Sequence, residues 1–315
     1  MSLFMNKSRY NYIFAGTASP DIAKKLAKKL GLPLGKTELT RFVNSEFRLR
    51  IRENVAGKNC IVVQSTCAPV HENIMELLLL VDTLKKGGAK KILAVIPYFG
   101  YSRQHTHFRA GEAVSSGVIL RTLKMLGTDK VVTCDFHNLE SLETSPLPIQ
   151  NVSAFPFLAK ELRRIVNINT AVVVSPDEGG IARGKLFATY FFGKKQVRFT
   201  FFRKERDLHK AHSITHTTCE NEQVLKGRVI IVVDDICTSG NTLLSAVNLC
   251  LRNGAEAVYA AITHPDMDKI VLRRVVKSSI KRIVTTNSVG QKDNLRQSKK
   301  IKTIGIANIL DTTLF

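Results

Sequence analysis

Tryptophan is absent from the chain, no C-x-x-C pair occurs, and no apolar run approaches the ~18 residues that a membrane-crossing helix needs. The last absence argues against a helical membrane protein. The first residues, M-S-L-F-M-N-K-S-R-Y, lack the apolar core and small-residue cleavage site of a secretory signal. Six cysteines, Cys60, Cys67, Cys134, Cys219, Cys237 and Cys250, lie mostly inside apolar stretches, which favours free thiols in a reducing compartment. A cytoplasmic protein is expected. Proline is scarce, 9 residues in 315, and with 44% hydrophobic residues the composition is globular rather than disordered. That length exceeds what one core usually supplies, so two domains of about 150 residues are expected.

Charge is unbalanced instead. Lys and Arg number 47 against 26 Asp and Glu, a net +21, and between Lys269 and Lys302 there are eleven basic residues and one acid, Asp293. Such a segment can be a nucleic-acid surface, an attractor of polyphosphates, or a solvated helix face. Aromatic residues are missing from it, which tells against stacking on bases. The solvated face is the expectation, with neither nucleic acid nor membrane as partner.

Periodicity supplies the architecture. Residues 10–17 read as a strand, and D-I-A-K-K-L-A-K-K-L-G after Pro20 reads as a surface helix with Ile22, Ala23, Leu26, Ala27 and Leu30 as its apolar stripe. Next comes a polar turn, R-F-V-N-S-E-F, followed by an alternating, antiparallel-type strand and a buried strand from Cys60 to Gln64. A helix, glycine, strand unit then recurs at 80–98, 246–265 and, more loosely, 120–137. In each copy glycine ends a helix and an apolar run enters a sheet, the crossover unit of a parallel sheet. Two prolines in S-P-L-P-I-Q-N-V break the pattern between the halves, and the apolar I-G-I-A-N-I-L near the end suits either half as a closing segment.

The stretch V-I-I-V-V-D-D-I-C-T-S-G-N-T (229–242) carries the chemistry. Five apolar residues read as a strand buried on both faces, and Asp234 and Asp235 stand where it runs out, the edge where open α/β sheets bind ligands. Thr238, Ser239, Gly240, Asn241 and Thr242 then form a loop of small residues before a helical run. Its hydroxyls, backbone N–H groups and helix N-terminus suit a phosphate dianion. Carboxylates beside a phosphate cradle suit a ligand with vicinal hydroxyls at one end and a phosphate at the other, as in ribose 5-phosphate. An ordinary acidic turn after a buried strand is the bland alternative.

This stretch resembles the ribose-phosphate signature of the phosphoribosyltransferase-type fold, and further segments resemble the ribose-phosphate pyrophosphokinase family. P-Y-F-G-Y-S-R-Q (97–104) is similar to the family's ATP-binding stretch, which implies Arg103 and Gln104 as nucleotide contacts. Phe42, Asn44 and Glu46 match its adenine-holding segment, although Asn44 and Ser45 replace the usual Asp and Gly. His137 in T-C-D-F-H-N and Asp177 in S-P-D-E-G-G match residues associated with Mg²⁺. Lys204 and Arg206, within a charged and polar stretch at 201–212, match the paired cations of a mobile catalytic loop. By itself G-G-I-A-R-G-K-L (179–186) imitates a P-loop, but Leu186 stands where Mg²⁺ needs a hydroxyl; Arg183 and Lys185 are candidates to face substrate.

The resemblance implies an α/β protein of two tandem phosphoribosyltransferase-like domains, each a mainly parallel sheet flanked by helices, at 1–148 and 149–315, with the C-terminal tail free to join the first. It implies transfer of the β,γ-diphosphoryl group of ATP to O1 of ribose 5-phosphate, with Mg²⁺, in a homo-oligomer, dimer or hexamer. Departures at Asn44, His105, Thr106, Thr238 and Asn241 keep two alternatives open. One is a salvage phosphoribosyltransferase, whose loop D-D-I-C-T-S-G-N-T resembles more nearly. The other is a weakly active homologue that regulates a true synthetase.

Overall fold

A computed structural model describes residues 9–107, 109–193, 197–206, 214–290 and 298–311, without the side chains of 204–206 and 214–217. The chain forms two compact units, residues 1–153 with 288–290 and 305–315, and residues 154–287 with 291–304. In the first unit the order is β1 (Tyr12–Ala15), α1 (Pro20–Leu30), β2 (Leu34–Gly35), β3 (Thr37–Arg41), β4 (Phe47–Ile51), β5 (Asn59–Val63), α2 (Val70–Lys86), β6 (Lys91–Ile96), α3 (Ser115–Met125), β7 (Lys130–Cys134) and β8 (Ile149–Val152). Its sheet runs β2-β1-β5-β6-β7-β8. Every neighbouring pair is parallel. Strands β3 and β4 form a separate antiparallel hairpin.

The second unit contains α4 (Phe155–Leu162), β9 (Ala171–Ser175), α5 (Ile181–Phe192), β10 (Phe199–Arg206), β11 (Ile214–Cys219), β12 (Val229–Ile236), α6 (Asn241–Arg252), β13 (Ala257–His264), α7 (Lys269–Lys277), β14 (Ile283–Thr286) and β15 (Ile301–Ile304). Its sheet runs β11-β10-β9-β12-β13-β14-β15, and only β10 with β11 is antiparallel. The series β1-β5-β6-β7-β8 and β9-β12-β13-β14-β15 thus share one order, a duplication written in topology. The three helix, glycine, strand units are α2 to β6, α3 to β7 and α6 to β13. Gly88, Gly127 and Gly254 lie between their members at φ +83, +98 and +80, which an L side chain rarely adopts.

Burial follows from that layering. Central strands of a parallel sheet are covered on both faces, so β9 is buried at every residue and β6 at all but its first. Helix α1 buries the stripe Ile22, Ala23, Leu26, Ala27 and Leu30. Helix α7 buries only Leu272 and Val275, while Lys269, Arg273, Arg274 and Lys277 are exposed. The tail helix α8 (Ile306–Leu310) belongs to the first unit, where it packs on α1 and Lys29 Nζ meets Asp311 Oδ2 at 3.0 Å.

Two boundaries differ from the sequence reading. Strand β12 continues through both aspartates to Ile236, because β13 still pairs with it there, Asp234 opposite Ile262 and Ile236 opposite His264. The segment read as a charged loop from 201 is strand as far as Arg206. The alternating F-T-F-F start extends β10, and the Thr-rich β11 supplies an antiparallel partner, with Lys204 opposite Thr217.

Candidate active site

Strand β9 pairs with β12 only as far as Val232, opposite Val174, so the last turn of β12 is flanked on that side by the segment that leaves β9. In that segment Ser175 Oγ donates to Asp177 O at 2.7 Å, and Asp177 Oδ1 accepts from Gly180 N at 3.2 Å, capping a short 3-10 turn, Glu178–Gly180. Glycine is required at 180 because an added Cβ would lie 2.3 Å from Ser175 Oγ. The close approach at Gly180 is to the protein's own serine. Gly184 is likewise a packing glycine, since a Cβ there would lie 2.4 Å from the Phe199 ring inside α5. The P-loop imitation at 179–186 is a 3-10 turn running into helix.

The first turns of α5 deliver Arg183 to the aspartates. Its Nη2 lies 3.2 Å from Asp235 Oδ1 and 3.6 Å from Asp234 Oδ1. Asp234 Oδ1 also accepts from the Asp235 backbone N–H at 2.9 Å. Burial pushes the Asp234 carboxyl well above the usual carboxylate range. The Asp235 charge and hydrogen bond push the same way, Arg183 opposes them, and Asp177 adds to the rise. Two carboxylates thus share one guanidinium, with the Asp177 charge acting on Asp234 from the neighbouring turn, an arrangement that welcomes hydroxyl donors. Sequence reasoning treated Arg183 only as a possible substrate contact. The available signal was that an acidic pair ending a buried strand needs a nearby cation.

Beyond Ile236 the chain turns through Cys237, whose thiol burial raises to about 12, so it is protonated at neutral pH. Thr238 and Ser239 are exposed. Gly240, at φ 73, is the N-cap of α6 and offers no capping side chain. Helix α6 begins at Asn241, so Asn241 and Thr242 are its first residues rather than loop. Asn241 N reaches Ser239 Oγ at 3.4 Å, and Asn241 Oδ1 accepts from Arg274 Nη2 at 3.0 Å. The Ser239 hydroxyl thus lies against the first turn of α6, whose leading N–H groups have no partner within the helix. Lys204 and Arg206 lie in the backbone of β10; their side chains lie outside the described residues. The neighbouring Arg203 Nε donates to Glu178 Oε1 at 2.9 Å, tying β10 to the turn that Asp177 caps.

In the first unit, the β3–β4 turn carries Phe42, Asn44 and Glu46. Phe42 N donates to Glu46 O, Asn44 Oδ1 accepts from Glu46 N at 3.3 Å, and Ser45 sits at φ 70. Phe42 is 49% exposed and Arg41 Nη2 pairs with Glu72 Oε2 at 2.6 Å, fastening the hairpin to α2. After β6, Tyr98 and Phe99 are buried, Arg103 is exposed, and Gln104 Nε2 donates to Ala113 O at 3.2 Å. His137, just past β7, stands beside His105 with ring centroids 6.0 Å apart. The carboxyl ends of β6 and β7 thus bring His137 to the segment that carries Arg103 and Gln104. Asp177, the other residue assigned to metal, belongs to the second unit. Among the described residues no group of three or more His, Cys, Asp and Glu side chains is assembled for a metal ion. Magnesium is commonly held by one or two carboxylates and substrate phosphates, so Asp177, Asp234 and Asp235 fit it chemically. The His137 imidazole is the poorer match.

A parallel sheet with paired acids and a small-residue loop at the carboxyl end of a central strand, followed by a helix, defines the phosphoribosyltransferase class. Residues 149–294 match the family model described as phosphoribosyl transferase domain, and residues 11–127 match the N-terminal domain of ribose phosphate pyrophosphokinase. The chain belongs to the ribose-phosphate pyrophosphokinase family. Ribose-phosphate pyrophosphokinase of Ralstonia nicotianae is 34% identical over 302 residues, 96% of this chain and 93% of the relative. That of Burkholderia pseudomallei is 33% identical, covering 96% and 92%. The solved phosphoribosylpyrophosphate synthetase from Mycobacterium smegmatis superposes with a TM-score of 0.87 at 29% identity, over 96% of this chain and 97% of that one.

Proposed function

We propose that the chain is a ribose-phosphate diphosphokinase that moves the β,γ-diphosphoryl group of ATP to O1 of ribose 5-phosphate, giving phosphoribosyl pyrophosphate and AMP. The observation that carries this reading is the end-to-end match: relatives of that name align over both units, 96% of the chain. A salvage transferase would account for one sheet only.

Within this reading Asp234 and Asp235 accept hydrogen bonds from the ribose hydroxyls, and their charge makes each such bond worth about 1.5–3 kcal/mol. Thr238 to Thr242 hold the 5′-phosphate with hydroxyls and first-turn N–H groups. Arg183 keeps the acidic pair together without cancelling its charge. Phe42, Asn44 and Glu46 hold the adenine, and Arg103 and Gln104 reach the phosphates. Lys204 and Arg206 enclose the migrating group as its charge shifts. Mg²⁺, which Asp177 and the neighbouring acids of the second unit would hold, would neutralise phosphate charge. Family resemblance further supports a homo-oligomer, dimer or hexamer, and the buried cysteines, none of them in a disulfide, support a cytoplasmic location. Among the described residues no helix is long and apolar enough to cross a membrane.

The test is incubation of the pure protein with ATP, Mg²⁺ and ribose 5-phosphate. AMP and phosphoribosyl pyrophosphate should appear in equal amounts. Absence of AMP, or consumption of phosphoribosyl pyrophosphate with a free base, would overturn the assignment.

A further inference from the structure

We propose that Arg274 on α7 is a positioning residue for the phosphate loop and that it acts through Asn241; this deepens the reading of that loop as the 5′-phosphate site and rests on it. Asn241 Oδ1 accepts from Arg274 Nη2 at 3.0 Å. The same face of α7 meets the loop one residue earlier, since a Cβ on Gly240 would lie 3.1 Å from Val271 Cγ1 and 3.2 Å from Val275 Cγ2. Residues 271, 274 and 275 share one helix face by their spacing of three and four. Helix α7 therefore braces the loop at two successive residues, one contact apolar and one polar.

That brace adds to the loop's ties at Cys237, whose N donates to His264 O at 3.0 Å and whose sulfur accepts from the Gly240 backbone. Helix α6 has no capping side chain, Thr238 and Ser239 are exposed, and the Ser239 to Asn241 bond is long at 3.4 Å. A loop held in its binding shape before the dianion arrives loses less conformational entropy on binding. The guanidinium also places a permanent positive charge beside the first turn of α6, with four further N–H donors beyond the one spent on Asn241. The basic character of α7 acquires a specific use at one residue, Arg274, while the remainder of its charge stays a solvated face.

The experiment is steady-state kinetics of four full-length proteins: wild type, Arg274→Ala, Asn241→Gly and the double variant. Arg274→Ala is expected to raise KM for ribose 5-phosphate roughly three- to fivefold, the size of an exposed charged contact, with KM for ATP, kcat and Tm nearly unchanged. With Gly at 241 the same substitution should change KM by less than about twofold. An unchanged KM in Arg274→Ala would overturn the proposal. So would an equal rise with and without the Asn241 side chain, which would make Arg274 a contact independent of Asn241. Wild type that forms no AMP from ATP and ribose 5-phosphate would remove the functional reading itself, and the inference with it, and the first arm of the series identifies that case.

Discussion

Replacing Arg183 by Met removes a charge and keeps most of the length and apolar stem of the side chain. The guanidinium lies 3.2 and 3.6 Å from two carboxylate oxygens, and the side chains of Arg183, Asp234 and Asp235 are 16%, 18% and 3% exposed. At an effective dielectric constant of about 20 a pair at such distances is worth ~5 kcal/mol of Coulomb energy, most of it offset by desolvation. Breaking such a pair leaves an uncompensated buried charge, and that costs about 3–5 kcal/mol. Here the charge left behind is two adjacent carboxylates, so the loss must depend on pH. Asp234 is already pushed above the usual range by burial and by Asp235, and Arg183 is the group that pulls it back. A carboxyl with a raised folded pKa binds more protons folded than unfolded, so stability falls as pH rises from the unfolded pKa to the folded one. Without Arg183 that window reaches higher.

Urea denaturation of wild type and Arg183→Met from pH 5.5 to 8 reads this directly. The deficit should be largest at pH 8 and shrink toward pH 5.5 as one carboxylate takes a proton. Asp234→Asn in the Met background should recover much of the stability at pH 8. A deficit that is constant with pH would refute the reasoning and make Arg183 a packing residue.

Three further outcomes follow from named contacts. Asp234→Asn with Asp235→Asn should weaken ribose 5-phosphate strongly in calorimetry and leave ATP nearly unchanged; equal loss of both would make the pair structural. Ser45→Gly should stabilise the protein by about 1 kcal/mol in thermal or urea melts, because Ser45 holds φ 70 where an L side chain is disfavoured. An unchanged or lower midpoint would show that the Ser45 side chain is needed in the turn. Lys204→Ala with Arg206→Ala should lower kcat on the order of 10³-fold with little change in KM or Tm, since groups that meet only the migrating phosphoryl stabilise the transition state. Normal turnover would reduce the pair to solvated strand residues.

Periodicity made the layers legible because parallel strands and their crossover helices must alternate apolar runs with glycine stops. The stripe of α1 and the glycines before β6, β7 and β13 were visible for that reason. Strand ends were less legible. β12 runs on through two aspartates, and β10 through Lys204 to Arg206, because a hydrogen-bonded neighbour overrides local polarity. Partners distant in sequence were invisible: Arg183 is 51 residues before Asp234, and Arg274 is 33 residues after Asn241. The tail could not be assigned from its own residues, since an apolar helix suits any uncovered apolar face; the stripe on α1 is what receives it.

Duplication of the sheet did not duplicate the site, and the reason lies in side chains. The segment Gln64 to Pro69 follows β5 as the loop from Cys237 to Gly240 follows β12, but it is tied to its own surroundings. Gln64 Nε2 donates to the buried Glu76 at 2.8 Å, Asn73 Nδ2 to Cys67 O at 2.7 Å, and Gly100 N to Thr66 Oγ1 at 2.6 Å. Glu76 also accepts from Thr17 N and Oγ1, so its charge is met inside the fold. Gly100 has no room for a Cβ, which would lie 2.4 Å from Thr66 O. The space and donors that a phosphate would need are thus taken by the chain itself, and Pro69 caps α2 where Gly240 caps α6. Removing a single side chain such as Glu76 would therefore leave Thr17 without its acceptor and Gln64 Nε2 with only its 3.4 Å contacts to Asn73 rather than reopen an anion site, because the occupying groups are backbone and short polar side chains on several elements.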